Sequence, residues 1–207
     1  AASADNAIKR MCDIIASLIG IILLTPVWII VAAAVRLNDG GPAFFTQERV
    51  GLDGTTFTMI KFRTMRVDAE AMKDSLAEAN EADASAGNSI MFKMANDPRI
   101  TRIGSFLRKT SIDELPQLFN VLRGDMSLVG PRPPLPSEVA QYEPRVMGKF
   151  AVRPGITGLW QISGRSNLSW DETVHLDLSY AQHRSLTLDT WIALQTIPAI
   201  LRHEGAY

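Results

Sequence analysis

From Ile14 to Val35 the chain reads IIASLIGIILLTPVWIIVAAAV, 22 residues without a charge between Asp13 and Arg36. Roughly 20 such residues suffice to cross the hydrocarbon core of a bilayer, so the run predicts a membrane segment. A secretory signal has a shorter apolar part and a small-residue cleavage site; here Arg36, Leu37 and Asn38 follow, and the segment is expected to be retained. Lys9 and Arg10 precede the run and Arg36 follows it, a pattern that gives poor support to ends on opposite sides of the membrane. Pro26 lies near the middle. It lacks a backbone donor and clashes with the carbonyl four residues earlier, so a kink or break is expected at Thr25-Pro26, with the Thr25 hydroxyl at hand for a freed group. Two seatings follow: a spanning helix with a proline kink, or a helix that breaks and turns back.

The whole chain of 207 residues suits one domain with a real core plus an appendage. Its 21 basic and 22 acidic residues leave a net charge of -1, so no overall field favours nucleic acid, and none is expected as a partner. The one cysteine, Cys12, can form neither an internal disulfide nor a Cys-based zinc site. Ala1 to Asn6 are small and polar without an initiator Met, and residues 1–8 are expected to be a disordered start or the remnant of a cut. After the apolar run, GGPAFFTQERVGLDGTTFTMIKFRTM carries β-formers on both sides of Gly51, Asp53 and Gly54, which predicts a β-hairpin. Residues 67–86 read as a solvated helix leading into a loop at 85–89. Ile100, Ile103, Phe106 and Leu107 share a helix face edged by Arg99, Arg102, Arg108 and Lys109, which suits either a membrane surface or packing on the core. LDTWIALQTIPAIL, interrupted by Thr196 and Pro198, is too short to span and is expected to lie in the interface or on the domain.

The chemistry concentrates at 110–165. Thr110-Ser111-Ile112-Asp113-Glu114-Leu115-Pro116 opens a helix expected to run to Gly124. Ser111 with Glu114 three residues on matches a capping box, and on local grounds that reading stands ahead of catalysis. The catalytic reading uses the same physics: a carboxylate at a helix start should stay ionised and nucleophilic, and the exposed donors there attract phosphate. Asp113 and Glu114, adjacent on a helix, would diverge and take separate roles, one attacking phosphorus and the other binding a metal or removing a proton. GPRPPLP at 130–136 forms a stiff turn that would hold Arg132 for a planar fork on phosphate. RPGITGLWQISGR at 153–165 adds Arg153 and Arg165 among glycines, with Trp160 as an aromatic face.

KFRTM at 61–65, TSIDELPQLFNVLRGDMSLVGPRP at 110–133 and RPGITGLWQISGR at 153–165 resemble, in order and spacing, the signatures of the bacterial sugar transferase family, the monotopic phosphoglycosyl transferases. The resemblance covers about Lys9 to Tyr207. It implies an α+β fold: a re-entrant membrane helix over 9–40, broken at a Ser-Pro pair that is Thr25-Pro26 here, then a small, mostly helical cytosolic catalytic domain over 41–207 with a β-hairpin and interfacial amphipathic helices. It implies that Asp113 takes a hexose 1-phosphate from a UDP-sugar with release of UMP. Glu114 would support metal binding or activate the acceptor, a polyprenyl (undecaprenyl) phosphate. Magnesium on Asp113 and Glu114 is expected, with Lys61, Arg63, Arg132, Arg153, Arg165 and Asp177 around the substrates. The implied location is the cytoplasmic face of a bacterial inner membrane, at the first step of surface polysaccharide assembly, with a homodimer left open. Similar proteins carry Trp where this chain has Arg184, which weakens the expected interfacial seating there. The strings SGRSNLSWDETV and RHEGAY look closest to members that transfer galactose or glucose 1-phosphate. Larger members carry extra N-terminal membrane helices and a regulatory domain, so the start at Ala1 is expected to be either a cut to the catalytic module or a naturally small member. Two rival readings are a glycosyltransferase that releases UDP and a membrane-anchored, non-catalytic interaction domain.

Overall fold

A computed structural model describes residues 2–69, 71–72, 97–164 and 168–201. Most of the helix expected over 67–86 and the loop after it therefore lie outside the described residues. The apolar run is the middle of one helix, α1 (Ala2–Asp39), in which Asn6–Asp39 is long and apolar enough to cross a membrane. The helix begins at Ala2, so residues 2–8, expected to belong to a disordered start or the remnant of a cut, are helical. It also continues through Pro26, so of the kink or break expected there the break is not seen. The Thr25 hydroxyl donates to the Ile21 carbonyl at 2.7 Å, one residue before the carbonyl that Pro26 leaves without its usual donor. Packing holds the helix together across this point: Ile21, Leu24, Trp28, Val31, Ala32 and Val35 join Phe62, Leu107 and Leu118 in one apolar cluster. The outward face keeps Ile15, Leu18, Ile22, Leu23, Ile29 and Ile30 exposed.

The hairpin forms as predicted. β1 (Phe44–Val50) pairs antiparallel with β2 (Thr56–Phe62), and Asp53 and Gly54 take positive φ in the turn between them. α2 (Arg102–Lys109) is capped by the Thr101 hydroxyl, which accepts from the Gly104 amide. Its apolar positions do not share one fate: Leu107 is buried, Ile103 packs on the α1 cluster, and Phe106 is exposed. Arg99 is not a surface edge either, because it is buried on Asp97 at 2.6 Å.

α3 (Gln117–Arg123) ends at Gly124, whose φ of 100° is the left-handed stop expected there. Asn120, fully buried, ties this helix to the hairpin: its Oδ1 accepts from the Ile60 amide and its Nδ2 donates to the Thr58 carbonyl. β3 (Ser127–Val129) pairs in parallel with β4 (Gly155–Thr157) across a crossover that contains α4 (Pro136–Val139) and a 3-10 segment over Pro144–Ala151. The two chain segments touch so closely that a Cβ at Gly130 would stand 2.3 Å from the Arg153 carbonyl, and one at Gly155 would stand 2.0 Å from the Gly130 nitrogen. The chain closes with α5 (Leu159–Ile162), α6 (Trp170–His183) and α7 (Leu186–Leu201). α7 buries Asp189 and Ile192 and exposes Trp191, Leu194, Ile197 and Leu201, in line with a helix lying on the domain with an apolar outer face.

Both ends of α1 are tied to this one body. Lys9 reaches Asp189 at 2.5 Å, Arg10 donates to the carbonyls of Val121 and Leu122, and Asp13 accepts from the Leu128 amide. At the far end Asp39 pairs with Arg63 at 2.5 Å.

Candidate active site

Between α2 and α3 the chain turns at Ser111, a non-glycine residue at φ 56°, and then makes one 3-10 turn over Ile112–Glu114. The expected capping box is absent: Ser111 makes no side-chain cap, and Glu114 reaches across to Lys61 on β2 at 2.8 Å. The local pattern thus yields to a tertiary contact, that of Glu114 with Lys61. A real capping box occurs elsewhere, where Ser169 and Glu172 open α6.

The turn aims the two acids into different surroundings. Asp113 is 8% exposed, whereas the Glu114 side chain is 29% exposed. Ile112 and Leu115, which flank the pair, pack on the cluster that contains Trp28 and Val35 of α1. The acids therefore sit on a support shared with the apolar helix. Burial, and then the negative charge of Glu114, push the Asp113 carboxyl up to about 6, while Lys61 and Arg108 pull against the rise. A readily ionised carboxylate was expected at a helix start, but α3 begins only at Gln117 and burial outweighs its end.

Arg108, placed by sequence among the basic edge of α2, belongs here. It donates from Nε to Thr64 Oγ1 at 3.0 Å, and burial lowers its pKa while Asp113 is the foremost charge that opposes the drop. Its position five residues before Asp113 was legible; its direction was not.

The other expected site residues separate into groups. Arg63 is buried on Asp39, with Nη1 to Oδ2 at 3.0 Å, and fastens the end of α1 instead of facing the acids. Arg153 donates from Nε to the Gly124 carbonyl at 2.8 Å and so anchors β4 to the end of α3. Arg165 lies outside the described residues. Arg132 does present a fork, but to Glu138, at 2.9 and 3.2 Å. Glu138 is buried and also accepts from the Leu135 amide, so the proline-rich turn carries its own counter-ion. Burial works against the Arg132 charge and Glu138 outweighs it. Asp177 is 1% exposed and paired with Lys149, whose ammonium stands 6.0 Å from the centre of the Tyr142 ring. Asp177 is thus buried on Lys149 beside Tyr142, next to the Arg132 turn, and not open to solvent. Thr25 and Pro26 lie within α1.

Sequence reasoning passed over Arg49, Glu138, Tyr142, Lys149 and Asp189. For Arg49 a signal existed: pairing of Phe45 with Lys61, Gln47 with Met59 and Arg49 with Phe57 puts Arg49 and Lys61 on one face of the hairpin.

The model of a family described as bacterial sugar transferase matches residues 4–203. A galactosyl transferase, CpsE, of Streptococcus agalactiae is 48% identical over 199 residues, covering 96% of this chain and 43% of the relative. The undecaprenyl-phosphate galactose phosphotransferase of Salmonella typhimurium is 45% identical over 201 residues, covering 97% and 42%. The exopolysaccharide production protein ExoY of Rhizobium meliloti is 40% identical, and there the match covers 96% of this chain and 88% of the relative. The chain thus spans less than half of the first two relatives and most of the third.

Proposed function

Because the chain belongs to the bacterial sugar transferase family, we propose that it transfers a hexose 1-phosphate from a UDP-sugar to a polyprenyl phosphate such as undecaprenyl phosphate, at the start of surface polysaccharide assembly. The names of the relatives, an undecaprenyl-phosphate galactose phosphotransferase and a UDP-glucose:undecaprenyl-phosphate glucose-1-phosphate transferase, support the donor and acceptor classes. The observation that carries the reading is the buried Asp113 carboxyl, held beside Glu114, Lys61 and Arg108 on a turn packed against the apolar helix.

In this reading an Asp113 carboxylate oxygen attacks the sugar-bearing phosphorus of the donor. The bond from that phosphorus to the bridging oxygen breaks, and its electron pair leaves on UMP. An oxygen of the lipid phosphate then attacks the same phosphorus, the acyl-phosphate bond breaks, and Asp113 returns as a carboxylate. Glu114, more exposed and paired with Lys61, takes up any proton carried by the lipid phosphate or holds that phosphate in line. Arg108 and Lys61 offset the charge that gathers around phosphorus. The product separates this from simple glycosyl transfer: the reading expects UMP, and UDP would overturn it.

Magnesium belongs to the reading, and the donor set fits it. Two adjacent carboxylates that repel one another leave negative charge for a divalent ion, and no cluster of three His, Cys, Asp or Glu side chains occurs among the described residues, so substrate phosphates and water would complete the shell. Asp113 and Glu114 would hold the ion, which when bound neutralises phosphate charge. Without metal, the Asp113 carboxyl should titrate at about 6, and magnesium should move its midpoint down, as read by carbon NMR of labelled aspartate. An unmoved midpoint at saturating magnesium would take the ion away from this pair.

We further infer that α1 lies on the membrane face of the domain with both ends on the cytoplasmic side of a bacterial inner membrane. The ties of Lys9, Arg10 and Asp13 at one end and of Asp39 at the other, all to the same body, support it. Tags placed before Lys9 and after Tyr207 should both be labelled from the cytoplasm in intact cells. Labelling from opposite sides would defeat this seating and leave the chemistry at Asp113 untouched.

A further inference from the structure

We propose that Arg49 is a phosphate-binding residue, a third cation that bridges the acid pair and the Arg132 turn and grips a phosphate monoester or diphosphate oxygen during the proposed transfer. Arg49 sits near the end of β1, on the hairpin face that also carries Lys61. Its Nη1 donates to the Pro133 carbonyl at 3.0 Å, which fixes it to the proline-rich turn, and its Nη2 donates to Gln47 Oε1 at 2.6 Å. The Nε–H is buried and has no hydrogen-bond partner.

Among the described residues no carboxylate pairs with this guanidinium, in contrast to Arg63, Arg99 and Arg132 on the same domain. Both of its hydrogen bonds go to neutral oxygens. A largely buried cation held by neutral acceptors, with a donor left over, is poorly compensated, and such sites favour an incoming anion. Burial and then the Arg132 charge bring its pKa down to about 10, while Glu138 and Glu114 lie close enough to oppose the fall. Arg49 therefore stands within electrostatic reach of both halves of the site. The neighbouring Lys61, Glu114 and Arg132 side chains remain 24%, 29% and 22% exposed, so the cluster is open to a ligand from solvent.

Two sources share this chemistry, the phosphate of the nucleotide and that of the lipid. The test titrates the full chain in lipid nanodiscs with UMP, with uridine and with a short prenyl phosphate, comparing wild type, Arg49→Gln, Arg49→Lys and the surface control Arg145→Gln. Arg49→Gln should weaken UMP or the prenyl phosphate on the order of tenfold, the loss of one charge-assisted fork. Uridine should bind unchanged. Arg49→Lys, which keeps the charge and the tie to the hairpin but loses the planar fork, should fall between. A loss for UMP alone assigns the nucleotide phosphate, and a loss for the prenyl phosphate alone assigns the lipid.

Wild-type affinity for both phosphates in Arg49→Gln would overturn the proposal, as would an equal loss for uridine and UMP. If Arg49→Gln does not fold, wild-type phosphate affinity in folded Arg49→Lys overturns it, and an intermediate loss supports it. The proposal rests on the transferase reading, yet the two fail separately. Wild type that binds neither phosphate removes both, whereas wild type that releases UMP while the Arg49 variants bind normally removes Arg49 alone.

Discussion

Asp113→Asn should leave a folded protein that forms no covalent adduct and turns over no donor. Incubation of the wild-type chain with UDP-sugar and magnesium, without lipid, should release UMP and add one sugar phosphate to the intact mass. The Asn variant should do neither, with a rate loss on the order of a thousandfold or more, because an amide does not replace a carboxylate nucleophile. Stability should move the other way. The folded-state pKa of Asp113 is raised, so its ionisation costs stability as pH rises through about 6, and that cost is absent at low pH. A neutral Asn escapes it, and the variant should melt no lower than wild type at pH 8. If Glu114 acts on the acceptor phosphate as proposed, Glu114→Gln should keep some adduct while blocking transfer to lipid. An Asn variant that still releases UMP at a substantial rate would end the covalent mechanism.

Lys149→Met should lower the melting temperature by roughly 10 °C. It strands Asp177, 1% exposed, without its ammonium partner, and breaking one side of a buried pair costs about 3–5 kcal/mol, each worth about 2–4 °C in a chain of this size. Lys149→Met with Asp177→Leu should recover most of the loss, because a packed apolar pair replaces the ion pair without a stranded charge. The double variant also tests the role of Asp177. If this acid only holds the 3-10 segment against α6, restored stability should bring restored activity; if it contacts substrate, the double variant stays inactive. A single variant that melts within about 2 °C of wild type would show that Asp177 finds other compensation.

What sequence alone determined is local or one-dimensional. The length and charge-free composition of 14–35 dictated an apolar helix, because that many residues have to be satisfied by their own backbone whether they cross a membrane or lie on one. The turn residues at 51–54 dictated the hairpin, and Gly124 dictated the end of α3. The adjacency of Asp113 and Glu114 was visible before any fold. Tertiary structure decided what each charge does, since a side chain's partner depends on which segments packing brings beside it. Pro26 argued for a kink or break, yet with Trp28 and Val35 packed on Phe62, Leu107 and Leu118 the helix runs through it unbroken. Ser111 argued for a cap, yet its left-handed backbone and the reach of Lys61 assigned Glu114 to the hairpin. Of the arginines that all read as phosphate ligands, Arg63 went to Asp39, Arg153 to the Gly124 carbonyl and Arg132 to Glu138, while Arg49, unremarked in the sequence, came to rest between the acids and the proline turn. The long side chain and five donors of arginine fit many acceptors, and only the three-dimensional neighbourhood selects among them.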